Sequence, residues 1–361
     1  MANKSNRPAA AAALYAFDAG NGSCKGISSE THAVIQFAPV VAPMTDKRAV
    51  EKDAEKPTYS LKVDDQVYVF GVDDVFEHGK RTSIRRLNSI SRYDSADYMR
   101  LIDVLFLQCF AVYRGNSDYL APAGAISLPI SQYNNPATVQ SVQDTMIGKR
   151  TLIDYEGCTL RLEIRPNRLT IVPECYGSLM HWAYDPSSLK RRPGADLTGS
   201  TVVIDIGYET TDTSLFEAAK YQRDQAFTIE RAGMGVIARS IQEYIAKSVK
   251  GADVSRVDRA MQTLGGLPPG AAKRIEPLPG VFVDVTEVYE QAIDDLGQKI
   301  AQQVETHYAE TPTRYLLSGG GAYHLEHVIR HTLGGDVKMA PDADTANAIG
   351  AFTALRLKAG G

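Results

Sequence analysis

Short apolar runs alternate with amphipathic segments along the chain, and this alternation predicts an α/β protein. Compact runs such as "GAISL" and "TVVIDI" are typical of buried strands. "THAVIQFAPVVAP" is predicted as one strand closed by prolines, and "YSLKVDDQVYVFG" as a hairpin. "YDSADYMRLIDVLFLQCFAVY" has helical spacing, with Asp94 or Ser95 available as a cap. Further helices are predicted near residues 235–249, 253–263 and 285–308, and in "DTANAIGAFTALRLKA".

The domain organisation follows from length and from one polar segment. The chain has 361 residues, which exceeds one typical domain and suffices for two cores. Residues 187–200, "SSLKRRPGADLTGS", form a polar segment with proline and glycine, and they are the best candidate for a domain boundary. We therefore expect two domains, each with a mixed sheet covered by helices.

Charge and cysteine usage exclude several classes of function. The net charge of −4 gives no support for direct binding of nucleic acid, and we interpret the basic stretch 79–92 as a solvated surface or a protein interface. Four cysteines without a C-x-x-C pair indicate reduced thiols, and no histidine has ligand spacing. No apolar run is long enough to span a membrane. We expect a cytoplasmic protein without membrane contact.

Two segments near the start of each half share one plan. "YAFDAGNGSCKG" and "VVIDIGYETTDTSLF" both read as an apolar strand, an aspartate, a glycine and a polar turn into another strand. The aspartates, Asp18 and Asp205, lie 187 positions apart. Either turn alone is best interpreted as an ordinary hairpin, because Asn and Gly favour such turns. The pair in the same register favours a repeated binding element.

The residues in these turns suit a magnesium nucleotide. Glycine lets backbone N–H groups approach an anion, and Lys25 adds a point charge for a terminal phosphate. Thr210 and Thr211 offer hydroxyl donors. Asp18 and Asp205 would repel bare phosphate, but they can hold the water molecules of a bound Mg²⁺. A third segment, "LLSGGGAYHL", places three glycines between a strand and a helix, although alone it is only a weak signal for a loop near a base or phosphate.

In this order, the three segments resemble the two phosphate motifs and the adenosine motif of the actin, chaperone and sugar-kinase superfamily. Within it, the chain most resembles the bacterial and archaeal actin-like proteins of the ParM type, on "SRYDSADYMRLI", "ISLPIS", "IVPECYGSLM" and "DTANAIGAFTAL". The resemblance implies an actin-like fold with the nucleotide in an interdomain cleft. It implies a first domain of residues 1–195 and 341–361, with a small subdomain at about 40–95, and a second of 196–340.

The resemblance also implies roles for individual residues. Glu174 and Asp205 would be catalytic, with Glu174 positioning the attacking water, although a charge at a helix start is the alternative interpretation of Glu174. Asp18 and Asp205 would hold Mg²⁺ through water. The nucleotide, ATP or possibly GTP, would be bound by Asp18, Gly20, Asn21, Gly22, Lys25, Gly207, Thr210, Thr211, Asp212, Gly233, Gly319, Gly320 and Gly321. The chain departs from many relatives at Tyr208 and Glu209, where they carry glycines.

Three functions remain open on the sequence. The favoured one is a nucleoside triphosphatase that assembles into filaments and disassembles after hydrolysis. In the ParM type, such filaments segregate plasmids through a DNA-binding adaptor of the ParR type. A small-molecule kinase would need a catalytic base, for which Asp144 and Asp154 are available, and a chaperone-like ATPase or scaffold is the third reading. Nucleotide preference, filament architecture and cargo are not encoded in these motifs.

Overall fold

The computed structural model describes residues 13–31, 33–45, 56–80, 83–87, 95–250, 271–309 and 314–360, together with single positions between 257 and 267. The strands of the first half are β1 (Leu14–Ala19), β2 (Cys24–Ser28), β3 (Ile35–Phe37), β4 (Val40–Pro43), β5 (Ser60–Val63), β6 (Gln66–Phe70), β7 (Arg85–Arg86), β8 (Ala123–Leu128), β9 (Gly148–Ile153), β10 (Thr159–Ile164) and β11 (Leu169–Pro173). Those of the second half are β12 (Ser200–Ile206), β13 (Thr211–Glu217), β14 (Lys220–Tyr221), β15 (Phe227–Ile229), β16 (Arg274–Leu278), β17 (Val281–Asp284), β18 (Arg314–Ser318) and β19 (Val337–Met339).

Helices flank these strands throughout, as the alternating pattern predicts. They are α1 (Val72–His78), α2 (Ala96–Cys109), α3 (Ile130–Tyr133), α4 (Pro136–Met146), α5 (Glu174–Ala183), α6 (Met234–Ser248), α7 (Thr286–His307), α8 (Ala322–Leu333) and α9 (Ala346–Gly360). Ser95 caps α2 by accepting a hydrogen bond from the backbone N–H of Tyr98. Among the described helices, none is both long and apolar enough to cross a membrane.

The two large sheets have the same strand order and the same directions. The first runs β11–β8–β1–β2–β3, and the second runs β19–β18–β12–β13–β14, with β15 also paired to β13. In each sheet three parallel strands are followed by antiparallel ones, and the hairpin (β1–β2 or β12–β13) joins the two parts. The repeat of the sequence is therefore a repeat of the fold.

The register of the two hairpins is equivalent as well. Asp18 pairs with Lys25 across β1 and β2, and Asp205 pairs with Asp212 across β12 and β13. The offset of 187 residues that relates the two aspartates also relates Lys25 to Asp212. The duplicated position thus carries opposite charges in the two halves.

Two helices cross between the large sheets, and each packs against strands of the sheet in the other half of the chain. Helix α5 follows β11 of the first sheet but packs against β12, β13 and β18 of the second. Helix α9, at the end of the chain, packs against β1, β2 and β8 of the first sheet, where Ala16 and Ala125 leave room for it. At the crossing a Cβ on Gly350 would lie 1.7 Å from the carbonyl oxygen of Gly177, so the contact requires glycine.

Smaller elements complete the first half and mark where the sequence prediction was wrong. Strands β5, β6, β4 and β7 form a four-stranded sheet, which includes the predicted hairpin of residues 60–70. "THAVIQFAPVVAP" forms two strands rather than one, because β3 pairs with the large sheet and β4, beyond Pro39, pairs with the small one. The predicted helix at 253–263 and the charged segment 45–57 lie largely outside the described residues.

Candidate functional site

A cleft of about 1150 Å³ opens where the two hairpins face each other. This volume slightly exceeds the usual range of about 300–1,000 Å³ for small-molecule and cofactor sites. Its lining comes from both large sheets and from the small one. Of the predicted site residues, the lining includes Asp18, Gly20, Asn21, Gly22, Lys25, Glu174, Asp205, Gly207, Thr210, Gly319, Gly320 and Gly321.

One lysine stands among several carboxylates at the centre of the cleft. The Lys25 Nζ lies 3.4 Å from Asp18 Oδ2, and their side chains are only 12% and 3% exposed. Burial by itself would lower the pKa of Lys25, but Asp18, Asp205, Glu174 and Asp344 outweigh burial and raise it. Lys25 is therefore a permanent cation at this site.

Two further carboxylates of the cleft, Glu174 and Asp205, hold their protons more tightly than usual. Burial, and then the charges of Asp18, Asp205 and Asp212, raise the pKa of Glu174 well above its usual value. Burial raises the pKa of Asp205 to about 7, although a hydrogen bond from Asn347 acts in the opposite direction. A cation that entered the cleft would displace these protons, because it would stabilise the ionised carboxylates.

Glu174 starts a helix and also lines the cleft. It is the first residue of α5, directly after Pro173, and its side chain lines the cleft near Asp18 and Asp205. A carboxylate at a helix N-terminus is favoured by the helix dipole, which fixes the residue at this edge of the sheet. The N-terminus of α5 therefore lies at the cleft.

The second turn contacts the first. A Cβ on Gly22 would lie 2.9 Å from the Cβ of Tyr208, so the two turns approach each other through glycine. The N–H of Gly207 donates to the carbonyl of Thr210 at 2.9 Å, and this bond closes the second turn. Glu209, which the sequence marked as an added charge, lies 3.7 Å from Arg239 on α6. Arg239 thereby offsets part of that charge.

Three predicted nucleotide-binding residues do not line the cleft. The Thr211 hydroxyl donates to the carbonyl of Ala232, so it is not directed at a phosphate. The Asp212 carboxylate accepts hydrogen bonds from the N–H of Ile130 and the hydroxyl of Thr228. Gly233 is the N-cap of α6 and packs against the second turn. Local partners engage these three residues, and their assignment to nucleotide binding stays a prediction.

The three consecutive glycines form a tight turn behind Asp205. Gly319 has a φ of +80°, and a Cβ there would lie 2.4 Å from Asp205 Oδ1. The N–H groups of Gly319 and Gly321 donate to the carbonyls of Ala343 and Ile206. Gly320 borders open space, since its nearest neighbour is 4.0 Å from a built Cβ. The turn therefore fits the backbone against Asp205 and leaves Gly320 at the cleft.

Sequence reasoning missed several residues of the cleft. Asn347, on the C-terminal helix α9, donates from Nδ2 to Asp205 Oδ2. At another part of the cleft, His324 has its Nδ1 hydrogen-bonded to the hydroxyl of Tyr289 at 2.6 Å. The remaining additions include Met234, Met261, Gly265, Tyr323 and Asp344. Of these, Tyr323 lies within the glycine segment singled out in the sequence, and the others come from separate elements.

The donor set of the cleft fits a hydrated magnesium ion. Two side-chain oxygens at the cleft, Asp18 Oδ1 and Asn21 Oδ1, are buried and have no hydrogen-bond partner among the described residues. Oxygen ligands and retained water are what Mg²⁺ requires, and buried oxygens without a donor are costly unless a ligand satisfies them. Asp18 and Asp205 would hold the water molecules of such an ion.

Comparisons with known proteins agree with this geometry. The family model of the N-terminal domain of actin-like proteins matches residues 16–177, and that of the C-terminal domain of archaeal MreB-like actin homologues matches residues 203–331. No curated protein sequence shows significant similarity to the chain.

Solved structures share the whole fold at low sequence identity. A ParM filament of 15 strands from Clostridium botulinum has a TM-score of 0.73 at 16% identity, covering 96% of this chain and 100% of that one. An archaeal actin homologue in complex with ADP has a TM-score of 0.70 at 18% identity, covering 95% and 99%. ParM from Bacillus thuringiensis with AMPPNP has a TM-score of 0.65 at 13% identity, covering 96% and 99%.

The duplicated sheets and the cleft between their hairpins define an actin-like protein. The two family models cover different parts of the chain and extend over both large sheets. Both models describe actin-like proteins, and solved ParM structures share the fold, in agreement with the resemblance in the sequence.

Proposed function

We propose that this protein binds a magnesium nucleoside triphosphate in the cleft, assembles into filaments in that state, and disassembles after hydrolysis. The observation that carries the proposal is the pair of equivalent hairpins, with Asp18 and Lys25 on one and Asp205 on the other, facing a single cleft. Carboxylates with one buried lysine suit a ligand that brings both anionic phosphate and a divalent cation.

The side chains would divide the chemistry between them. Lys25 would bind a terminal phosphate, and Asp18 and Asp205 would orient water molecules around the ion. When bound, Mg²⁺ supplies charge neutralisation for the phosphates. Glu174 would position the attacking water through a hydrogen bond, and its raised pKa would fall as the cation enters, which leaves a carboxylate able to accept that bond.

We further propose a role in segregating DNA through an adaptor protein in the cytoplasm. The comparison with a ParM filament supports self-assembly, and the net charge of −4 favours indirect attachment to DNA. Filament growth needs a head-to-tail interface that does not close on itself. The segments 45–57 and 79–92 remain candidates for such contacts, and both lie partly outside the described residues.

The test is light scattering of the purified protein after addition of Mg-ATP or Mg-GTP, with phosphate release followed in parallel. We expect scattering to rise and then decay as phosphate appears, and the faster nucleotide identifies the preferred one. Asp205→Ala should slow hydrolysis by orders of magnitude. The matched control is Asp144→Ala, because Asp144 is exposed on α4 and outside the cleft lining.

Two outcomes would contradict parts of the proposal. A wild-type rate of hydrolysis in Asp205→Ala would show that Asp205 is not part of the catalytic site. Hydrolysis without any scattering over a wide range of protein concentration would favour a kinase or a chaperone-like ATPase. The kinase has less support, since neither Asp144 nor Asp154 lines the cleft and Asp154 is paired with Arg114 at 2.9 Å.

Glu174→Ala separates assembly from hydrolysis. The variant keeps Lys25 and both aspartates, so we expect scattering to rise on nucleotide addition as in the wild type. Phosphate release should slow by about 100-fold or more, because the attacking water loses its acceptor. Scattering that decays at the wild-type rate would assign the positioning of water to another residue.

A further inference from the structure

The two aspartates of the cleft are held by different means. Asp18 is paired with Lys25, its register partner on the neighbouring strand. The equivalent partner of Asp205 is Asp212, a carboxylate that is engaged by Ile130 and Thr228. Asp212 cannot donate a hydrogen bond in its ionised form. The second half therefore needs a donor for Asp205 from outside its own hairpin.

Asn347 on α9 supplies that donor. Its Nδ2 lies 2.5 Å from Asp205 Oδ2, although the two residues are 142 positions apart. The Asn347 side chain is itself oriented by Ser178 on α5, whose hydroxyl donates to Asn347 Oδ1 at 2.6 Å. Because Ser178 occupies the oxygen of the amide, the nitrogen must face Asp205. All three side chains are buried.

The surroundings leave little freedom to this arrangement. The carbonyl of Asn347 packs against Gly177, where a Cβ would lie 2.2 Å from it. On the other side of Asp205, Oδ1 faces the Gly319 turn. Helix α5, which carries Ser178, also carries Glu174 one turn earlier at its N-terminus, on the same face. One helix thus anchors Asn347 and presents Glu174 to the cleft.

We propose that Asn347, oriented by Ser178, is a positioning residue for the magnesium-dependent part of nucleotide binding. This inference rests on the proposed function. A neutral amide fixes the Asp205 carboxylate without cancelling its charge, whereas Lys25 cancels that of Asp18. Once a cation has displaced the proton of Asp205, the amide holds the ionised carboxylate in a fixed orientation for the water molecules of the ion. Without the Asn347 amide, the Asp205 carboxylate is no longer held in one orientation. Only the magnesium-dependent part of nucleotide binding then becomes weaker.

The experiment measures the dissociation constant of a fluorescent ATP or GTP analogue in excess EDTA and in excess MgCl₂. The ratio of the two constants is the magnesium effect. In Asn347→Ala we expect this ratio to fall about tenfold, as for loss of a hydrogen bond to a charged group, with less than about a twofold change in EDTA. Ser178→Ala, which only loosens Asn347, should lower the ratio about threefold.

Asn134→Ala is the matched control. Asn134 also accepts a hydrogen bond between the two halves of the chain, from the hydroxyl of Tyr221, but it lies outside the cleft lining. We expect its magnesium effect to equal that of the wild type. Ser178→Ala keeps the test decisive if Asn347→Ala does not fold.

The outcomes separate this inference from the proposed function. If the wild type binds neither analogue with magnesium, the proposed function fails. If the wild type binds but folded Asn347→Ala and Ser178→Ala keep the full magnesium effect, the positioning role is wrong. Equal weakening in EDTA and in magnesium would also overturn it, because that pattern marks a merely structural residue.

Discussion

Replacing Asp205 with asparagine should make the ligand-free protein more stable. Burial raises the pKa of Asp205 to about 7, against a usual value of 3.8. The folded protein therefore holds this proton more tightly than the unfolded chain does. Its stabilising contribution is fully present below the unfolded pKa and is lost as pH rises through the folded one.

The size of the effect follows from these two pKa values. As the pH rises from about 6 to about 8, ionisation of Asp205 lowers the free energy of the unfolded chain by about 2.7 kcal/mol. It lowers the free energy of the folded protein by only about 1.4 kcal/mol. The unfolding free energy of the wild type should thus fall by about 1.4 kcal/mol over this interval from Asp205 alone. Asp205→Asn lacks this titration but keeps an oxygen that accepts from Asn347.

The assay is urea denaturation of wild type and Asp205→Asn at both pH values, in EDTA. We expect the stability advantage of the variant to grow by about 1.4 kcal/mol from the lower to the higher pH. Asp144→Asn, at an exposed carboxylate, should show no such growth. Parallel pH dependence in wild type and Asp205→Asn would refute the reasoning, and so would an advantage that shrinks as pH rises.

Two further substitutions test the cleft and the helix crossing. Lys25→Met removes the only cation paired with Asp18 among the described residues, and it should cost about 3 kcal/mol of unfolding free energy near pH 8. Thermal unfolding of Lys25→Met measures this loss. Lys56→Met, which removes an exposed ion pair with Glu156, is the control, and an equal loss of stability in the two variants would contradict the prediction. Gly350→Ala should cost about 3 kcal/mol or more, because its Cβ would clash with backbone. Urea denaturation measures the loss, and Gly199→Ala, in open space, should be nearly neutral.

The sequence predicted those features that depend on local pattern. Strand periodicity and turn residues sufficed to find both hairpins, since each signal lies within about fifteen consecutive residues. The repeated aspartate and glycine were enough to infer a duplicated element, and the sheets confirm it with equal strand order. Glu174 was singled out by the resemblance alone, and its place at the start of α5, directly after β11, brings it to the cleft.

What the sequence did not reveal depends on long-range contacts. The resemblance placed residues 341–361 with the first domain, but no local signal marks the contact of Asn347 with Asp205, which forms where α9 crosses α5. The surroundings of Thr211 were not readable from the sequence for a related reason. Nothing in the segment shows that the carbonyl of Ala232, 21 positions away, takes its hydroxyl, whereas Thr210 stays in the cleft lining. His324 likewise depends on Tyr289 from another helix.

The exchange of α5 and α9 between the sheets bears on how the chain can be divided. A fragment that stopped before α9 would leave the Ala16 and Ala125 face of the first sheet uncovered, although every strand of that sheet lies before residue 174. A fragment that began at β12 would lack α5, which covers part of its own sheet. The two halves of the chain are thus mutually dependent for folding, so cut or separately expressed pieces should recover structure only when mixed.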